Sequence, residues 1–202
     1  MSNGSAWLRC EAWDGIAMSG RTNVEASPGI TIVRREGIFS VAVIGREGEA
    51  SSLKKFFAKE YDAELPQPGK CALGQEVELV WSAPVQWFVV SRDRKMPAKL
   101  YASLKSVAAV SDQSDSRAIL RLSGSYVREV LAKGCLIDLH PQMFGPGSAI
   151  TTSIAGIGAQ IWWANFDSAV NIAVARSMAE SFWSWLVHSA AEYGVEVTRS
   201  AS

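Results

Sequence analysis

Histidine is scarce in this chain: His140 and His188 are the only two among 202 residues. Metal sites are built from His, Cys and carboxylates at short spacings, and no Cys-x-x-Cys or His-x-x-His pair occurs here. Cysteine is nearly as rare. Cys10, Cys71 and Cys135 are odd in number and widely separated, which fits a reducing cytoplasm better than a disulfide framework. Neither sign of charge is in excess, since 20 basic residues offset 20 acidic ones. Nucleic acids and anionic membranes select a basic surplus, so neither is expected as a partner. No apolar run approaches the ~20 residues needed to span a bilayer. The opening MSNGSAWLRC lacks the basic start and apolar core of a signal peptide. Glycine motifs are thin as well. Neither Gly145-Pro146-Gly147 nor Gly156-Ile157-Gly158 joins a strand to a helix with a third glycine, and no phosphate loop is present. The chain is therefore expected to hold no catalytic, cofactor-binding or metal-ligating residue of its own.

Tryptophan, by contrast, is plentiful, with eight residues. It is enriched at interfaces because it offers a large, stiff contact area with one donor. Trp7 and Trp13 lie in residues 1–28, a Gly-, Ser- and Asn-bearing stretch in which no period links the apolar spots. Two readings are open, a disordered tail or an arm that orders against a partner, and the two tryptophans favour the arm. Trp162 and Trp163 are adjacent on an expected strand and must point to opposite faces, so one of them is expected to leave the main core. Trp7, Trp13, Trp162 and Trp163 are thus the candidate interface residues.

From residue 29 the pattern is regular. Residues 30–34 and 39–45 read as strands, and residues 50–61 as a helix with Leu53, Phe56 and Phe57 inward. Two prolines and a glycine in 65–69 mark a loop, and residues 77–81 and 85–90 form a hairpin about Pro84. Pro97 opens a helix carrying Leu100, Tyr101, Leu104 and Val107. Residues 117–122 alternate, with Ala118, Leu120 and Leu122 on one face. In the Ser123-Gly124-Ser125 turn that follows, Gly124 is free to take a positive φ and Ser125 is placed to cap the next helix. Gly134 is expected to end that helix. A second hairpin spans 150–155 and 159–164, a strand covers 170–174, and a long helix covers 178–193, with Gly194 as its stop before a last strand at 195–198.

The two halves echo one another. Residues 39–45 lie over 118–124, and 88–92 over 172–176, each followed by a helix. Each half reads strand, helix, two strands, helix, strand, which is a ferredoxin-like order used twice. The fold class is α+β with antiparallel-rich sheets. The organisation is an arm at 1–28 and a domain at 29–202, its halves meeting at about 111/112. Asp112, Asp115 and Arg117 form the most polar cluster beside a strand, either a carboxylate pair for a cation or amine or, the weightier reading, a turn that caps the strand. Cys135 reads as a packed residue rather than a nucleophile.

One stretch carries a resemblance. Asp112, Ser114 and Asp115, then residues 117–124 (RAILRLSG), 130–135 (VLAKGC) and 137–141 (IDLHP), stand in the order and spacing found in the gamma subunit of heterotetrameric sarcosine oxidase. That family is related in fold to the aminomethyltransferase (T-protein) of the glycine cleavage system, and a softer likeness runs from about Leu65 to Val197. The resemblance implies two halves packed in the manner of the T-protein folate-binding domain. It also implies a place in the complex that oxidatively demethylates sarcosine to glycine and hydrogen peroxide, with the one-carbon unit passed to tetrahydrofolate as 5,10-methylenetetrahydrofolate. FAD, FMN, NAD, zinc and tetrahydrofolate are then expected on the alpha, beta and delta partner subunits, with this chain as a scaffold in the cytoplasm. The alternative is a stand-alone folate-binding protein or one-carbon transferase of the T-protein superfamily.

Overall fold

The structure is a computed structural model that describes residues 10–22, 27–164 and 169–200. In chain order the strands are β1 (Gly20–Thr22), β2 (Ile30–Arg34), β3 (Phe39–Gly45), β4 (Cys71–Leu73), β5 (Val77–Ala83), β6 (Gln86–Ser91), β7 (Ala108–Asp112) and β8 (Arg117–Ser123). They continue with β9 (Ala149–Ile154), β10 (Ile157–Trp163), β11 (Val170–Ala175) and β12 (Val195–Arg199). The helices are α1 (Ala50–Tyr61), α2 (Met96–Leu104), α3 (Val127–Ala132) and α4 (Ala179–Ala190), the last with a short 3-10 turn at each end. No helix among the described residues is long and apolar enough to cross a membrane.

The strands form two sheets. The first runs β4-β5-β6-β3-β7 and every pairing in it is antiparallel. Its β5-β6-β3-β7 core is the ferredoxin-like order expected from the repeat. The second runs β1-β12-β2-β8-β11-β10-β9, with β2 and β12 parallel and the other neighbours antiparallel.

The structure corrects the boundary at 111/112, because β2 does not pair within the first half. It inserts between β8 and β12, with Ile32 opposite both Leu122 and Val197. The reason lies in its sequence: Ile30 and Ile32 are fully buried in the second core, where the β8 face supplies Ala118, Leu120 and Leu122. Periodicity marks β2 as a strand but carries no information about which sheet takes it.

Three cores result. One lies between α1, α2 and the first sheet, and one between α3, α4 and the second sheet. The third, between the sheets, gathers Ile38, Cys71, Val80, Phe88, Val90, Ile119, Ala149, Trp162 and Ala173. A strand here can therefore bury both faces, which is why Ile119 is buried as well as its neighbours in β8.

The turn into α3 differs from expectation. Gly124 does take a positive φ of 119°, but Tyr126 occupies the N-cap and no side chain caps the helix, Ser125 included. Tyr126 instead stacks on Tyr193, centroids 4.5 Å apart, and that contact sets the entry of the chain. Gly134 follows the end of α3 without left-handed backbone. A Cβ there would sit 2.6 Å from the Trp185 ring, so close approach and not helix termination requires the glycine.

Candidate functional site

Alternation along β5 sends Val77 and Leu79 to the helix-covered core and Glu78 and Val80 to the layer between the sheets. Glu78 meets the end of β2 there. Arg35 Nη2 donates to Glu78 Oε1 at 2.5 Å and its Nη1 to Oε2 at 3.2 Å, a bidentate pair. The same Nη1 lies 3.1 Å from Oδ1 of Asn171 in β11, and Trp162 Nε1 donates to Glu78 Oε2 at 2.7 Å. Arg121 completes the group: burial, then the neighbouring Arg35, hold its guanidinium below the usual arginine range, and Glu78 opposes both. One carboxylate thus answers two guanidiniums and an indole, and the first sheet is tied to the second. A smaller bridge does the same nearby, where Gln160 Nε2 donates to Trp81 O at 3.0 Å.

Arg35 and Glu78 line a cleft of about 620 Å³, together with Ser91, Arg92 and Asp93. Ser91 and Asp93 also bond within the chain. Ser91 Oγ donates to Glu76 O at 2.6 Å and accepts from Asp93 N at 2.9 Å, while Asp93 Oδ1 accepts from Lys95 N. At Arg35 and Glu78 the cleft wall therefore has a structural chemistry, charge neutralised by charge, and the hydrogen bonds of Ser91 do not set it beside a base as covalent catalysis requires.

The residues singled out in the sequence do not gather here, Trp162 excepted. Trp7 lies outside the described residues. Trp13 is 1% exposed in the chain's own second core, where Nε1 donates to Ile119 O at 3.0 Å and the ring meets Trp183. Trp162 and Trp163 are 0% and 7% exposed. They do face opposite ways, but Trp162 enters the layer between the sheets and Trp163 the helix-covered core. The expectation that Trp13 and one of this pair face a partner is corrected on that ground: a sheet with two covered faces seats both rings. Asp112 accepts from Ser114 N at 2.9 Å in a local turn, and Arg117 Nε donates to Gln113 Oε1 at 2.9 Å. His140 accepts from Gln142 N, His188 contacts Ser184 O, and Cys135 packs against the second core. No group of three His, Cys, Asp or Glu side chains converges on a metal position among the described residues.

Sequence reasoning missed Arg35, Glu78, Arg121 and Asn171. Asn171 carried a usable signal: it is fully buried in Val170–Ala175, where every other residue is apolar, and a buried amide demands partners.

Comparison with known proteins gives these observations a context. The family model described as "Sarcosine oxidase, gamma subunit family" matches residues 57–192, a span holding Glu78, Arg121, Trp162 and Asn171. The sarcosine oxidase subunit gamma of Corynebacterium sp. (strain P-1) is 29% identical over 170 residues, covering 82% of this chain and 83% of that one. Its counterpart from Arthrobacter sp. is 32% identical over 135 residues, covering 65% and 66%. Among solved structures, the heterotetrameric sarcosine oxidase from Corynebacterium sp. U-96 in complex with pyrrole 2-carboxylate superposes with TM-score 0.79 at 24% identity, covering 93% of this chain and 97% of the matched chain. The glycine cleavage system aminomethyltransferase T from Bartonella henselae superposes at 0.58 and 16% identity, covering 85% of this chain and 48% of that one, so the T-protein-like α+β fold is shared. With two thirds of its length matched by the family model, the chain belongs to the sarcosine oxidase gamma subunit family.

Proposed function

We propose that this chain serves as the scaffold subunit of a heterotetrameric sarcosine oxidase and contributes no reacting group. The complex oxidatively demethylates sarcosine to glycine and hydrogen peroxide in the cytoplasm, and hands the one-carbon unit to tetrahydrofolate as 5,10-methylenetetrahydrofolate. In this reading the alpha, beta and delta subunits hold FAD, FMN, NAD, zinc and the folate site. Residues 29–202 form the body and 1–28 the arm, with Trp7 of the arm kept as a candidate contact to a partner.

The observation that supports the scaffold role is the inward pairing of Arg35 and Glu78, which line the cleft. Arg35 and Glu78 are used on each other, on Trp162 and on Asn171, and what they accomplish is to hold two sheets together. Co-expression of the other three subunits with and without this chain tests it. Omission is expected to lower the yield of intact complex, while flavin absorbance and zinc follow the other subunits. One tightly bound equivalent of flavin or zinc on the isolated chain overturns the assignment.

A further inference from the structure

We propose that the free edge of β7 accepts an extended segment of another subunit as an added β-strand, a proposal that rests on the gamma-subunit reading. Among the described residues, β7 is the last strand of the first sheet and pairs only with β3. Gln113 N donates to Ser40 O and Arg46 N to Val107 O, so in this antiparallel ladder the odd-numbered positions of β7 face β3. The N–H and C=O groups of Ala108, Val110 and Asp112 therefore face outward, and among the described residues β7 has no second neighbouring strand to meet them.

Edge strands are ordinarily guarded by lysine, proline, a bulge or a covering element. β7, with sequence AAVSD, has no lysine or proline, and its register with β3 is unbroken. The second sheet differs: beside β8 it is continued by β2, β12 and β1, and its edge strand β1 is only three residues long. The opposite rim of the first sheet is engaged too, since Lys70, next to β4, bridges Ser148.

A second observation points to the same edge. Tyr101 is 63% exposed although it lies on α2, which packs over β7 and β3. Leu100 is buried against the sheet, and Lys99 reaches back to α1, 3.2 Å from Glu60 and 4.7 Å over the Tyr61 ring. Helical geometry puts Tyr101 on the opposite flank, away from α1 and over the rim that β7 forms. An open main-chain edge overhung by an aromatic on a neighbouring helix is the arrangement by which folded domains take up extended peptides. An added extended backbone matches alternating outward donors and acceptors pair for pair, and as a subunit this chain has foreign chains for neighbours.

The test uses the full chain, alone and co-expressed with the remaining subunits. Val110→Pro removes no bond of the chain's own ladder, because the Val110 N–H faces outward, yet it blocks a bond from an added strand. Tyr101→Ala removes the overhanging ring from a solvated position. Each is expected to weaken assembly about tenfold or more, with an unchanged far-ultraviolet spectrum. Hydrogen exchange on the wild type needs no substitution: the Val110 amide is expected to exchange about tenfold or more slowly in the complex than in the free chain. Equal exchange in both states, or wild-type assembly by both variants, overturns the proposal. So does loss of self-association with an intact complex, which would give the edge to a second copy of this chain. A wild-type chain that joins no other subunit sinks the scaffold reading itself, whereas one that assembles with an unprotected Val110 amide sinks this proposal alone.

Discussion

Glu78 neutralises Arg35 directly and offsets the charge of Arg121, so its removal leaves two guanidiniums in a partly dry layer. Its side chain is 18% exposed and that of Arg35 12%, dry enough for the pair to matter and wet enough for some screening. Glu78→Ala is therefore expected to cost ~2–4 kcal/mol in urea denaturation, and Glu78→Gln, which keeps the acceptor oxygen for Trp162, clearly less. Equal losses in the two variants would assign the effect to packing instead. Cys71 acts in the alkaline range. Burial first, then the nearby Glu78, push its thiol up to about 12 from the ordinary 9.0, and Sγ sits 3.3 Å from Trp163 O. An unfolded chain releases that proton near pH 9 while the folded chain keeps it until about 12, so the unfolded state binds fewer protons and stability falls as pH rises through that window. The loss approaches about 1.4 kcal/mol per pH unit. Tyr61, pushed from 10.0 to about 12 mainly by burial, adds its own loss from about pH 10 upward. Cys71→Ala should flatten the stability profile between pH 9 and 10, and an unchanged slope there would show that the thiol is not the source.

Between elements, Gly134 is the point where α3, the loop after it and α4 meet. The missing Cβ leaves room for Trp185, and Ala155 N, which donates to Gly134 O at 2.9 Å, crowds the other side. Gly134→Ala should cost ~1–3 kcal/mol. Adding it to a Trp185→Ala background should cost markedly less, because the ring is the nearer obstacle; equal cost in both backgrounds would place the strain at Ala155. Sequence pattern identified this glycine but assigned it to helix termination, since pattern registers position and not what approaches from 50 residues away. The same division holds elsewhere. β3, β8, α1 and α4 were legible because each shows a period of two or of 3.6 residues over enough length. β1 was not legible, being three exposed residues paired with β12. Of the inter-sheet cluster, Glu78 and Arg121 look like the outward positions of half-buried strands until a second sheet covers that face.

At the scale of the molecule, the exchange of β2 makes the second half depend on residues that precede the first. Trp13, Ala17, Ile30 and Ile32, all at 1% exposure or less, belong to the core under α3 and α4. Arg34, only 2% exposed, donates to Ala17 O and pairs with Glu36, so it fastens the arm to β2. Arg176, at the entrance to α4, holds Cys10 O at 2.6 Å. The arm is thus strapped to this chain's own fold at four places along its described length, the others being the bond from Trp13 to Ile119 and the pairing of β1 with β12. Trp13→Ala should then lower the stability of the isolated chain by ~3–5 kcal/mol, the cost of emptying a large aromatic site in a core. A partner-facing tryptophan would leave the isolated chain nearly unaffected. The fragment of residues 112–202, which contains one complete sequence repeat, should fail to fold by itself: it lacks β1, β2 and Trp13, and β8 is left with an open flank where Ile30 and Ile32 belong. Its thermal unfolding should be broad and its apolar faces should bind a hydrophobic dye. Supplying residues 10–36 by fusion should restore a cooperative transition, because that segment carries the missing strands, Trp13 and the Arg34–Glu36 pair. A sharp transition from the 112–202 fragment alone would show that the repeats are independent folding units and that the inserted strand adds stability to a sheet already complete without it.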